Sequence, residues 1–409
     1  MEVGAIVYIG VALFAYALFS ERLASSPLSG PLVFATFGLI GYATGILPPV
    51  SVVDSPIVLL LELTLALLLF TDASKVQVRS WETDMNLPTR LIAVGMPLTI
   101  VLGTVVAYLM FPSAGIIGAA IIATILAPTD AALGFAVISN RRVPIRVREA
   151  LGVESGLNDG IALPILLFLL TLSLADGGVP LWQFFVEGIG IALLVGLAMG
   201  IGAAYAIRFA MERSWVEKQW IRISWILVAL GTYIMADHLG GSGFIAAYIA
   251  GITFGRIINR LETPAEHFAE TGEDLGTILT MTSFLIFGAY VLAPNLTAFT
   301  AATVFYAVLS LTIVRMIPVA VSMIGTGFEP PTLLYLGWFG PRGLASIIFA
   351  GILVEEADIE HVDLIVAAVI VTVAFSVLLH GVTAPWAANK YADWADGQSE
   401  AVGKDESTN

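Results

Sequence analysis

Apolar stretches of about 16 to 27 residues follow one another along almost the whole sequence, and roughly 20 residues of helix cross the hydrocarbon layer of a bilayer. In lipid only helices and closed barrels satisfy every backbone N–H and C=O. Barrel strands alternate apolar and polar residues, whereas a run such as Ile57 to Phe70, with Glu62 and Thr64 its two polar residues, has apolar residues on every face. The expectation is an all-α polytopic membrane protein. Composition agrees: 58% of residues are hydrophobic and 12% charged, against about half and a quarter in soluble domains.

Thirteen spans are expected: Val3 to Phe19, Leu32 to Leu47, Ser55 to Ala73, Leu87 to Phe111, Gly115 to Ile138, Ala150 to Leu174, Leu181 to Phe209, Ile221 to Ala236, Ser242 to Ile257, Leu275 to Leu292, Ala298 to Ile324, Pro331 to Val354 and Leu364 to Trp386. The first lacks a positively charged leader and a small-residue cleavage site, so it reads as a retained helix. If the spans alternate sides, all 18 Lys and Arg residues but Arg315 and Arg342 fall on one side. The positive-inside rule then places the N-terminus outside and the C-terminus in the cytoplasm. The opposite face carries Glu2, Asp54, Asp176, Glu355, Glu356, Asp358, Glu360 and Asp363, which reads as a plain solvated face. Residues 387–409 are polar and acidic and read as a short disordered tail without chemistry. The chain has no cysteine, which excludes disulfides, iron–sulfur clusters and thiolate nucleophiles, and at a formal charge of -14 it has no basic stripe for nucleic acid.

An ionisable group at mid-membrane costs at least about 2.5 kcal/mol, so each needs a partner, a water-filled cavity or a function. The spans enclose Glu62, Asp72, Asp130, Glu154, Asp159, Arg315 and Arg342, with Glu187 and Asp237 near span ends. At 1.5 Å per residue, Asp130 in span five and Asp159 in span six both lie roughly 12 to 14 Å from the cytoplasmic edge. Arg315 and Arg342 fall at similar depth. Spans five and twelve also carry helix breakers beside their charge: Pro128 before Asp130, and Pro341 within Gly340-Pro341-Arg342-Gly343. Two unwound helices with free carbonyls at matching depth are how many secondary transporters build a midplane site. Span five is fifth of spans one to six and span twelve is fifth of spans eight to thirteen. That odd offset of seven predicts inverted six-helix repeats with broken helices crossing near the midplane.

Ser155 and Asp159 share one helix face, and Glu154 and Asn158 a neighbouring one. Ser155 and Asp159, turned toward Asp130 and the Thr129 carbonyl, form an all-oxygen cage suited to sodium. Neighbouring, partly desolvated carboxylates resist joint ionisation, so a proton and a cation compete for the same oxygens. Such competition suffices for exchange if only the loaded site changes its exposure. Glu154 needs a counter-charge, Arg315 or Arg342, with Arg315 preferred in a structural role. Asn158 is expected to bridge the broken helices through its amide. No cofactor is expected beyond the transported Na+ and H+.

On Ala127-Pro128-Thr129-Asp130-Ala131, Glu154-Ser155-Gly156-Leu157-Asn158-Asp159 and Gly340-Pro341-Arg342-Gly343, the chain resembles NhaP-type sodium/proton antiporters of the first monovalent cation/proton antiporter family. Leu67-Leu68-Leu69-Phe70-Thr71-Asp72-Ala73 and Gly241-Ser242-Gly243-Phe244-Ile245-Ala246-Ala247 extend the resemblance from Val3 to Trp386. It implies a homodimer in a prokaryotic cell membrane, serving sodium transport and pH homeostasis. It implies a core bundle from about residues 55–174 and 275–386 moving against a dimerisation part from about 1–47 and 181–257. It further implies that Asp159 is the main cation and proton carrier, with Thr129, Asp130 and Ser155 around the ion and an acid like Asp72 near it. Asn158-Asp159 resembles the electroneutral pattern of one cation per proton, and the family pairs a glutamate like Glu154 with an arginine like Arg315. No regulatory cytoplasmic domain is expected after the last span.

The rival readings are weaker. A sodium- or proton-coupled transporter of an organic solute also uses broken helices, and Tyr335, Trp338 and Phe339 are candidate solute contacts that read better as core. A membrane hydrolase would want a Ser with His or a metal motif, but His238, His267, His361 and His380 are expected in loops or near membrane surfaces and there is no HExxH. A channel would show repeated filter segments, and none is present.

Overall fold

The computed structural model describes residues 3–24, 26–50, 56–79, 86–173, 184–258, 266–355 and 360–406. Among these residues nine helices are long and apolar enough to cross a membrane, and the shorter apolar helices Gly30–Ala43, Pro112–Ile125, Gly243–Ile258 and Leu344–Val354 supply the remaining expected spans. In chain order we name α1 (Val3–Ala24), α2 (Gly30–Ala43), α3 (Pro56–Arg79), α4 (Asn86–Met110), α5a (Gly115–Ile125), α5b (Phe135–Ile138) and α6 (Ile145–Ser173). The π-helical Phe184–Ile191 runs into α7 (Ala192–Glu212), followed by α8 (Lys218–His238), α9 (Gly243–Ile258), α10 (Glu266–Ile286), α11 (Ala301–Ser322), α12a (Pro330–Trp338), α12b (Leu344–Glu355) and α13 (Val362–Glu406).

Small residues set the closest crossings, as expected where lipid removes the hydrophobic drive between helices. Gly251 and Gly255 of α9 lie against the backbone of α3 at Phe70 and Ser74, where a Cβ would collide with main-chain atoms. Gly38 of α2 and Gly288, just past α10, meet in the same way. Through these contacts α3 is held between α9 and the charged helix α6, and its Asp72 is brought against Gly156.

Two helices break, each for a local reason. In α5 the ladder ends at Ile125, Pro128 removes a donor, and regular α-helix resumes only at Phe135. In α12 the chain is non-helical from Phe339 to Gly343, across Gly340 and Pro341. A third distortion bends α11 at Thr312 (φ -111°, ψ -89°), three residues before Arg315.

The expected disordered tail is corrected. α13 is a 45-residue helix, roughly 68 Å long at 1.5 Å per residue and about twice the hydrocarbon thickness. Its polar extension is held by contacts invisible to a search for apolar runs. Ala384, Ala388, Tyr391 and Ala392 pack into a buried cluster with α5b, α6 and α12a. Tyr391 Oη lies 3.0 Å from Thr332 Oγ1, and Arg142 pairs with Asp393 and with Asp396 at 3.0 Å. Of the acids expected on the opposite face, Glu2, Asp54, Asp176, Glu356 and Asp358 lie outside the described residues.

Replacing Gly251 or Gly255 by Leu should destabilise the protein by about 1–3 kcal/mol through overpacking against α3. Thermal unfolding in detergent checks this, and an unchanged midpoint for both variants would show that the α9–α3 approach is not limiting.

Candidate ion site at the helix crossing

The two breaks meet and complete each other. A helix end leaves several backbone groups unpaired, and lipid offers none of them a partner. Arg342, fully buried, donates through Nη1 to the carbonyls of Ala127 (2.5 Å) and Pro128 (3.0 Å) at the C-terminal end of α5a. Ser346 Oγ donates to the Ile125 carbonyl at 2.7 Å. In return Asp130 Oδ2 accepts the Leu344 N–H at 2.7 Å, at the first turn of α12b. The Asp130 N–H donates to the Pro341 carbonyl at 2.8 Å. A positive side chain therefore faces a helix C-terminus and a negative one a helix N-terminus, the favourable sense for both dipoles. Asp130 Oδ1 also accepts the N–H groups of Ala132 (2.8 Å) and Leu133 (3.0 Å), which turns the chain toward α5b.

Of the exposed carbonyls expected at the α5 break, Arg342 takes those of Ala127 and Pro128. Glycine is required where the parts touch: a Cβ on Gly343 would fall on the Asp130 carboxylate, and one on Gly340 on the Arg315 guanidinium.

Glu154 and Arg315, each 2% exposed, form a bidentate pair at 2.5 and 2.8 Å. The sequence left two arginines available to Glu154, and Arg342 is instead committed to the α5 carbonyls. Asn158 Nδ2 donates to Thr129 Oγ1 at 2.7 Å, and Thr129 Oγ1 lies 2.9 Å from Ser155 Oγ. Asn158 thus joins α6 to the α5 break, and the Thr129 hydroxyl is tied into the site.

A cavity of about 70 Å³ opens at the crossing, lined among others by Asp72, Thr129, Asp130, Ser155, Asp159 and Thr280. Pro128 also lines it, whereas Arg342 and Pro341 stand behind it as parts of the scaffold. Asp159 Oδ1 is buried with no hydrogen-bond partner among the described residues. Asp72, expected near the cytoplasmic edge, reaches this cavity while Lys75 stands 3.6 Å away; Lys75 also holds Glu273 at 2.8 Å. A second cavity of about 160 Å³, mostly apolar around Glu62, lies further along α3 and α12b.

Sequence reasoning missed Thr280, which carries no motif, and Tyr248 of α9, whose ring lies over Gly160 beside Asp159. It also misplaced His380. This residue is buried in α13, 1% exposed, because its helix packs its polar face on the α12 break.

Paired broken helices that cap each other, with carboxylates around a small cavity at their crossing, are the arrangement from which many secondary transporters build a midplane site. The chain belongs to the sodium/hydrogen exchanger family, whose transmembrane model matches residues 9–390. It is 27% identical over 278 residues to the K(+)/H(+) antiporter NhaP of Alkalimonas amylolytica, covering 67% of this chain and 46% of that protein. It is 26% identical over 347 residues to the Na(+)/H(+) antiporter ApNhaP of Aphanothece halophytica, covering 80% and 63%. The chain thus spans about half to two thirds of the length of these relatives. The fold matches the sodium proton antiporter MjNhaP1 from Methanocaldococcus jannaschii at pH 8 with a TM-score of 0.67, covering 95% of this chain and 98% of that one at 18% identity.

Breaking the Glu154–Arg315 pair from one side should cost about 3–5 kcal/mol, since the survivor stays buried and unpaired. Thermal unfolding of Glu154→Ala, Arg315→Ala and the double variant checks this. The double variant is expected to be more stable than either single one.

Proposed function

We propose that this protein is a sodium/proton antiporter that exchanges one Na+ for one H+ by alternating access, with Asp159 carrying either ion. The observation that supports this most directly is the Asp159 carboxylate, buried on one oxygen without a partner and facing a cavity that also holds Asp130 and Asp72. At about 70 Å³ that cavity has room for a partly hydrated inorganic cation and a few waters. Oxygen donors from Asp159, Ser155 and Thr129 suit a hard monovalent cation. Asp130 contributes negative charge while both its oxygens hold backbone N–H groups. Asp72 lines the same cavity with its side chain 34% exposed, which supports a role in meeting the cation before Asp159 does.

The division of charge supports an electroneutral exchange. Glu154 is neutralised by Arg315 and Asp130 is committed to the crossing, which leaves Asp159 to exchange one proton for one cation. The neutral Asn158 beside it adds no second exchangeable carboxylate. The relatives' names include both potassium and sodium antiporters. Sodium is our assignment, with lithium and potassium as the competing cations.

The two cavities lie at different levels along α3 and α12b, the smaller at the crossing and the larger, mostly apolar one beyond it. The cation asymmetry of the loops supports a cytoplasmic C-terminus and an outside N-terminus. The family resemblance supports a homodimer in a prokaryotic cell membrane, with the bundle of α3–α6 and α10–α13 moving against α1, α2 and α7–α9.

In proteoliposomes a sodium gradient should drive proton flux in the parent protein, with the same rate when the membrane potential is clamped to zero. Asp159→Asn should abolish the flux, and Asp72→Asn should raise the sodium concentration for half-maximal rate several-fold. A parent that moves no protons against any monovalent cation would overturn the antiporter reading in favour of solute-coupled transport.

A further inference from the structure

The α12 break is held from a third side that the transport site as described does not include. On α13, Ser376, His380 and Thr383 follow one another along one face, and all three reach the break. The Arg342 backbone N–H donates to Ser376 Oγ at 2.6 Å. His380 Nε2 lies 2.9 Å from the Trp338 carbonyl, the last residue of α12a. Trp338 Nε1 donates to Thr383 Oγ1 at 3.1 Å. Nδ1 lies 3.2 Å from Ser376 Oγ and 3.1 Å from the Ser376 carbonyl. Each ring nitrogen thus has a carbonyl near it, and a neutral ring has one N–H; with that hydrogen on Nε2, which makes the shorter contact, Nδ1 accepts from the Ser376 hydroxyl.

The hydrogen bonds then run in one direction, from the Arg342 N–H to the Ser376 hydroxyl and on to the imidazole, whose other nitrogen donates to Trp338. Both ends of the break, one carbonyl and one N–H that the α-helical ladder would have paired, are thereby satisfied by two side chains one turn apart. Because the chain between them carries Pro341, whose carbonyl accepts from Asp130, this clasp also sets where Asp130 stands.

We propose that Ser376 and His380 are positioning residues of the transport site. They fix the register of the α12 break and so determine the affinity of the Asp130–Asp159 cavity for its cation, without touching the ion. The inference deepens the antiporter reading and rests on it for its transport consequence, whereas its structural half stands independently.

The test uses the purified 409-residue chain. In proteoliposomes Ser376→Ala and His380→Phe should raise the sodium KM of proton flux about five-fold, the effect of one lost buried hydrogen bond. The maximal rate per folded protein should change little. His380→Gln, which keeps a donor for the Trp338 carbonyl, should remain closer to the parent than His380→Phe. In detergent, hydrogen exchange in the peptide containing Arg342 should speed up in Ser376→Ala, while peptides from α7 to α9 are unaffected. A KM unchanged in folded Ser376→Ala and His380→Phe, or unchanged exchange at Arg342, overturns the proposal. If the parent shows no cation-driven flux while exchange at Arg342 still accelerates, the antiporter reading fails and the clasp on the break stands.

Discussion

Two helices that stop in the middle of a membrane leave backbone donors and acceptors that lipid cannot satisfy, and the structure depends on how those groups are paired. Arg342 takes the loose carbonyls of α5, and Asp130 takes the loose N–H of α12b. Neither charge would be tolerable there alone. Each is offset by the backbone groups of the helix end that it faces, so the cost of burying charge and the cost of breaking a helix offset one another. Two interrupted helices are thereby one structural unit, and Asp159 on α6 is set at its edge.

The remaining charges divide by partner. Glu154 and Arg315 close on each other and bind α6 to α11. Asp130 and Arg342 serve the crossing. Asp159 faces the cavity with one oxygen unclaimed, and Asp72 lies between it and Lys75. A group that is fully satisfied in one state gains nothing by exchanging its ligand, whereas an unsatisfied carboxylate gains by taking either a proton or a cation. Asp159 is therefore distinguished from Glu154 and Asp130 by an oxygen that has no hydrogen-bond partner among the described residues. Asn158, Thr129 and Ser155 keep the wall beside it fixed through short polar contacts.

Much of this was legible in the sequence for a specific reason. A membrane removes most alternatives, so apolar length fixes helix count, and an ionisable residue in an apolar run announces itself. Pro128 beside Asp130, and Pro341 beside Arg342, marked the breaks and their depth. Features without that contrast were not legible. The polar extension of α13 reads as tail because its stability comes from Tyr391, Ala388 and Asp393 meeting segments far away in sequence. His380 lies at the polar end of its span and reads as interfacial, although it is buried against α12. The α5 carbonyls read as free, since nothing local shows that Arg342 reaches them.

By itself the sequence determined the class of fold, the number of crossings, the two broken helices and the short set of charged residues from which a site has to be built. These follow from local quantities: hydropathy, spacing along a helix, and the absence of a donor in proline. Tertiary structure decided the partnerships. Which arginine neutralises Glu154, which carbonyls Arg342 caps, and which carboxylate oxygen is left without a hydrogen-bond partner among the described residues depend on distances between residues far apart in the chain. In a medium that satisfies no polar group, those distances decide whether a charge serves as scaffold or remains available to an ion.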